Sequence, residues 1–298
     1  MTEELKGKKF PVLDHGHVIL VDYMGCDADI VQAARTSYQK GTTHTSDDRT
    51  LIRYLMRHRH SSPIECCTIK LHIKLPIFVE RQWARHRTAG FNEVSARYSE
   101  LPEEYYIPEE EDVQAQSNTN RQGRGDGLDT GVVEEFLSGT KTTGKEVFER
   151  YHEDLNNGVA RELARINLPL GTYTEKVWWC NLYNVLHFLS LRMDSHAQWE
   201  IRQYANIIGN EIIKPLFPAI WEAFEDYRLN SMQLTALDVG VIQRLTELDY
   251  NKHTPFHDID FMDCQDPSWK GLERCRERDE CLVKLINLGL VEGDDYVG

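Results

Sequence analysis

The chain has 298 residues and sets 34 Lys and Arg against 48 Asp and Glu, for a net charge of −14. That field repels polyanions and excludes non-specific duplex binding over a broad basic face. It still permits one small anion in a local arginine cleft, because clefts focus fields whatever the global sum. Hydrophobic residues make up 41% of the chain, enough for a buried core and too many for wholesale disorder.

Residues 1–9 carry early acids and lack the apolar run of a secretory signal, and no stretch reaches the ~20 apolar residues of a membrane span. The seven cysteines have no CxxC spacing and read as reduced thiols of a cytoplasmic protein. Cys264, Cys275 and Cys281 with His253 and His257 fit no paired-knuckle zinc spacing, so no metal is expected. The pattern His17–Tyr23 predicts a first strand, and Asp27–Tyr38 a helix capped by Asp27 or Asp29. A second helix is expected from Thr45 through Leu51, Leu55 and Met56. Thr68 to Leu75 alternates Ile69, Leu71, Ile73 and Leu75 with Thr68, Lys70, His72 and Lys74, which marks a half-buried strand. Pro76 opens a helix expected to run to Arg87.

Residues 107–130 mix acids, Pro, Asn, Gln and Gly with almost nothing to bury, and predict a loop, either a lid or an insertion. Helices are expected over Val132–Asn156, Gly158–Ile166, Thr174–Met193 and Ala197–Tyr227, with a weakly amphipathic last helix over Arg274–Leu288. The expected division is a catalytic domain over 1–230 and a charged extension of unassigned role over 231–298. The fold class is α/β with long helices.

Chemistry concentrates between Gln82 and Arg97. Arg85-His86-Arg87 cannot share one face of a regular helix, so the three side chains are expected to diverge at a helix end that Gly90 releases. Gln82, Arg85 and His86 have the spacing to act together. An extended Glu93–Arg97 would put Glu93, Ser95 and Arg97 on one side and Val94, Ala96 and Tyr98 on the other. An acid, a hydroxyl and a guanidinium beside a Gln–Arg pair suit a phosphate on a hydroxylated sugar. On these residues alone, a small-nucleotide site is the reading; a non-catalytic nucleotide- or RNA-binding module stays open beside it. A metal phosphohydrolase drawing on His58, His60, Asp194 and His196 lacks regular carboxylate–histidine spacing.

Arg85-His86-Arg87, seven residues, then Ser95-Ala96-Arg97 resembles the signature of the flavin-dependent thymidylate synthases. Asn92-Glu93, Ala34–Ser37, His60–Glu65, Gln82-Trp83, Ala164–Pro169 and Leu191–Glu200 agree with the same family, over about residues 15–225. The resemblance implies that family's fold, a twisted, mainly antiparallel sheet with long helices. It implies reductive methylation of dUMP to dTMP, with methylenetetrahydrofolate as carbon donor and NADPH-reduced FAD as hydride source. It further implies a homotetramer with active sites shared between subunits. By position, Gln82, Arg85, Glu93, Ser95, Arg97 and Arg165 would hold dUMP with the backbone of Val94 and Ala96, and Arg192 would polarise the uracil ring. Ser37, Ser62, Arg85, His86, Arg87, Glu93, Asn181 and His187 would hold FAD, with His60, Glu65, Asn92 and His196 around the flavin. No cysteine nucleophile is implied: Cys26, Cys66, Cys67 and Cys180 have no adjacent base and read as structural. Trp178, Trp179, Tyr183 and Phe188 read as helix core or subunit interface. The chain departs from the family at Gly90, where members often carry Ser, and at Tyr183, where the pattern reads Asn-x-Arg.

Overall fold

The computed structural model describes residues 3–36, 47–117, 123–252 and 275–291. Ser37, Thr45, Ser46, His253, His257 and Cys264 lie outside the described residues. The chain divides into two compact units, Met1–Leu229 and Asn230–Gly298.

In the first unit, β1 (Lys9–Val12) and β2 (Gly16–Met24) form a hairpin, followed by α1 (Asp27–Thr36) and α2 (Asp48–Arg57). Asp27 does not cap its own helix. Its carboxylate accepts from Ala219 and Ile220 N–H at 2.8 and 3.2 Å, capping a helix far along the chain. Asp29 accepts from Cys26 N–H instead. β3 (Thr68–Pro76) leads into α3 (Ile77–Trp83), then β4 (Gly90–Glu93). β5 (Gln114–Gln116) and β6 (Arg124–Gly127) form a separate hairpin inside the segment expected to be loop. α4 (Thr130–Asn156) and the single-turn α5 (Arg161–Ala164) precede β7 (Tyr173–Asn181) and α6 (Leu182–Arg192).

Thr174–Met193 is therefore not one helix. Its first half is the strand that completes the sheet, in the order β1-β2-β3-β7-β4 with every neighbouring pair antiparallel. β7 lies between β3 and β4, and its alternation is buried Thr174, Lys176, Trp178 and Cys180 against Glu175, Val177 and the exposed Trp179. A lysine on the apolar parity is what hid the strand: it breaks the two-residue period. The alternation predicted for β3 holds, with Ile69, Leu71, Ile73 and Leu75 fully buried.

The segment expected as one helix from Ala197 is α7 (Trp199–Ile207), a π-helical stretch Ile208–Ile213, α8 (Lys214–Leu216) and α9 (Pro218–Phe224). Phe217, at φ −133° and ψ 65°, breaks it just before Pro218. Ile201, Tyr204, Ala205, Ile208, Ile212 and Phe217 pack with the inner sheet face in one core. Gly90 is cross-strand from Trp179, and a Cβ there would overlap the indole, so the departure from Ser at this position goes with the tryptophan beside it.

The second unit contains α10 (Ala236–Lys252) and α11 (Cys275–Asn287). Val241, Cys281, Leu282 and Leu285 form its own small core. Lys284 Nζ reaches Asp238 Oδ2 at 2.6 Å. No described helix is long and apolar enough to cross a membrane.

Candidate active site

α3 ends at Trp83, four residues before the Arg87 that the sequence predicts as its end. Its last turn tightens, with Arg85 N–H on Gln82 O at 3.2 Å and His86 N–H on Trp83 O at 2.9 Å. The chain then leaves the helix as Arg85-His86-Arg87-Thr88-Ala89, one wall of a cavity of about 540 Å³. Trp178 and Cys180 of β7 and Asn184, His187, Leu191 and Arg192 of α6 form the other wall. Asn184, His187 and Leu191 recur at three and four residues, so one helix face turns to the cavity.

Arg192 Nε donates to His86 Nε2 at 3.0 Å. His86 must be neutral to accept it, which assigns its proton to Nδ1. Burial, then the Arg192 guanidinium and His187, push the His86 pKa down to about 4. Burial also lowers Arg192, but a guanidinium stays charged in a protein interior. Cys180 Sγ donates to Thr88 O at 3.2 Å, and burial pushes the thiol up to about 12, so the cysteine in this cavity offers no thiolate at neutral pH.

The remaining predicted residues fall into separate groups. The strand ends at Glu93, and Ser95–Tyr98 is a turn closed by Tyr98 N–H on Ser95 O at 2.9 Å; Ser95 Oγ accepts from Arg97 N–H. The alternation expected over Glu93–Arg97 therefore fails: Ala96 is buried while Val94 and Tyr98 are exposed. Arg97 pairs with Glu162 at 3.5 Å, three residues before Arg165, and neither arginine lines the cavity that holds Arg192. Glu93 Oε1 accepts from Thr174 Oγ1 at 2.8 Å and stands cross-strand from Lys176. The buried Lys176 ammonium pairs with Glu80 and lies 4.3 Å from the Trp83 ring centroid. Burial draws Lys176 down to about 8 despite that carboxylate.

Gln82 does not join Arg85 and His86; its amide bonds Gln198. Asn181 caps α6, its Oδ1 accepting from Asn184 N–H at 2.9 Å, and does not line the cavity. Asn92 lies on the outer sheet face, in a groove with Lys70, Val177 and Trp179. His60 follows Arg59, whose φ of 59° turns the chain, and packs edge-on to Tyr54; Ser62 lies two residues before the short turn Ile64–Cys66, and Glu65 lies within it. His196 is exposed and held by Asp194 at 2.9 Å. None of these lines the Arg192 cavity. Trp178 and Phe188 are core and Trp179 is exposed on a strand, so the aromatic group is split rather than one helix face. Among the described residues no group of His, Cys, Asp and Glu could hold a metal ion.

Sequence reasoning missed Asn184, Lys176 and Glu80, and read Trp178 as helix core or subunit interface where the structure has it on β7, lining the cavity. Asn184 was legible as the residue three before His187; Lys176, Glu80 and the place of Trp178 needed β7 to be read as a strand.

The family model described as "Thymidylate synthase complementing protein" matches residues 19–219. The chain belongs to the flavin-dependent thymidylate synthases. It is 52% identical over 245 residues to the flavin-dependent thymidylate synthase of Gluconobacter oxydans, covering 81% of this chain and 80% of that one. The enzyme of the same name from Wolbachia pipientis wMel is 49% identical, covering 78% and 82%. Among solved structures, the UMP/dUMP methylase PolB of Streptomyces cacaoi, bound with 5-Br UMP, superposes with a TM-score of 0.66 at 35% identity, covering 74% of this chain and 98% of that one. The cavity's residues fit the flavin that the family uses: two exposed arginines for an anionic arm, and a neutral imidazole beside an indole-lined wall for a planar ring.

Proposed function

We propose that this chain methylates dUMP to dTMP, taking the one-carbon unit from methylenetetrahydrofolate, with FAD as the flavin and NADPH as its reductant. Arg85, His86, Arg87 and His187 would hold the flavin, which when bound supplies the hydride. The observation that carries the reading is Arg192. Its Nε is committed to a neutral His86, which fixes the plane of the guanidinium, and among the described residues its two Nη groups have no partner. Uracil C5 needs added electron density before it can take a one-carbon unit. A fixed guanidinium against the O2–N3 edge stabilises the charge that develops there. The alternative activation, a thiolate adding at C6, is disfavoured by the Cys180 thiol at about 12.

Gln82, Glu93, Ser95, Arg97 and Arg165, with the backbone of Val94 and Ala96, would hold the nucleotide. Arg97 and Arg165 lie outside the Arg192 cavity within one chain, which supports a homotetramer whose subunits complete each other's sites. His60, Ser62, Glu65, Asn92, Asn181 and His196, also outside it, would approach the flavin from other subunits; Ser37 belongs to the same proposal. The unpaired thiols Cys26, Cys66, Cys67, Cys180 and Cys281 support a reducing, cytoplasmic setting.

The purified protein is expected to be yellow and to form dTMP. Arg192→Ala should keep its colour and its melting temperature while turnover falls by roughly 10²–10³, the usual cost of one electrostatic donor. A variant that makes dTMP at the wild-type rate would remove Arg192 from the role.

A further inference from the structure

Outside the cavity, a continuous line of side-chain hydrogen bonds runs from the β5–β6 hairpin to Gln82. Gln82 Nε2 donates to Gln198 Oε1, Gln198 Nε2 donates to Glu200 Oε2 at 2.7 Å, and Arg124 Nη2 donates to Glu200 Oε1. Glu200 is 2% exposed in the first turn of α7. A carboxylate this deep is costly unless a cation and donors meet it, and the Arg124 guanidinium pairs with it. The guanidinium is itself held in place, 5.3 Å from the Trp199 ring centroid and 3.9 Å from Asp112 Oδ1.

The line has a direction. An ionised carboxylate only accepts, so Gln198 must turn its NH₂ to Glu200 and its carbonyl to Gln82. Gln82 must then answer with an N–H. The end of the line at Arg124 and Glu200 thereby sets which way round the Gln82 amide sits, leaving its carbonyl oxygen and its second N–H for a ligand. Without the charged pair either amide could flip at little cost, since the two ends of a glutamine differ only in their partners.

We propose that Arg124 is a positioning residue for substrate: through Glu200 and Gln198 it orients the amide of Gln82, so that the β5–β6 hairpin sets affinity for dUMP. The proposal rests on the reading of Gln82 as a nucleotide contact. It gives the 107–130 segment a task that its composition does not suggest.

The test is a double-mutant cycle on the full-length, flavin-loaded enzyme, reading KM for dUMP and kcat for wild type, Gln82→Ala, Arg124→Ala and the double variant. One charge-free hydrogen bond is worth about 1–1.5 kcal/mol, so Gln82→Ala should raise KM about tenfold. Arg124→Ala should raise KM several-fold with kcat within about twofold of wild type, and the double variant should bind no more weakly than Gln82→Ala alone. Arg124→Lys keeps a cation against Glu200 and should recover most of the lost affinity. If Arg124→Ala leaves Glu200 unpaired and fails to fold, Arg124→Ala with Glu200→Gln removes the stranded charge and carries the same comparison. Multiplicative effects of the two single substitutions, or a KM for Arg124→Lys as high as for Arg124→Ala, would overturn the proposal. A wild-type KM in Gln82→Ala would instead remove Gln82 from the dUMP site.

Discussion

His86 is a basic residue that the fold keeps uncharged. Burial, Arg192 and His187 all oppose its protonation, and its midpoint lies at about 4 against 6.5 for a free imidazole. Below pH 6.5 the unfolded chain takes up a proton that the folded chain refuses. The stability tied to neutral His86 is therefore present above 6.5 and shrinks as pH falls from 6.5 to about 4. His17, driven to about 4 chiefly by its own burial, acts in the same window, so a melting curve alone does not separate the two. Residue-resolved NMR should show His86 neutral through pH 5, with its midpoint moving upward in Arg192→Ala, where one opposing charge is gone. A His86 midpoint near 6.5 would contradict the Arg192–His86 geometry. Chemistry at this scale was legible early: the Arg-His-Arg run announced diverging side chains. Which of the three would be neutral was not, because that depends on a guanidinium 106 residues away.

Among elements, β7 carries the most information and was the hardest to read. Its inner row of Thr174, Lys176, Trp178 and Cys180 joins the core to the cavity, and the register sets Glu93 opposite Lys176. The Lys176–Glu80 pair is buried at both ends, with 1% and 6% of the side chains exposed. Breaking such a pair strands a charge, whereas replacing both partners with apolar groups is often neutral. Lys176→Met alone should lose about 3–5 kcal/mol in urea unfolding, and Lys176→Met with Glu80→Leu should regain most of it. Equal losses in the single and double variants would show that packing, not the stranded carboxylate, sets the cost. The neighbouring α3 ended early for a related reason: the chain had to leave the helix for Arg85 to Ala89 to wall the cavity.

Across the whole molecule, the part matched by the family, residues 19–219, lies inside the unit Met1–Leu229, whose core includes the sheet's inner face and α9. The second unit has its own apolar contacts around Val241 and Leu285. A chain ending at Leu229 should therefore melt cooperatively and bind flavin at the stoichiometry of the full protein, read from absorbance after denaturation. Loss of flavin from that shortened chain would assign residues 230–298 a part in the site. By itself the sequence determined the acidic surface, the β3 alternation, the long α4 and the motif that announces the family. Those are carried by local period and by residue type, which need no partner to be read. Only the tertiary structure decided that Lys176 lies on the inner row of a strand, that Asp27 caps α9, that His86 is neutral and that Gln82 answers to Arg124. Each of those depends on groups brought together from distant positions in the chain, and burial then sets the energy of what they can be.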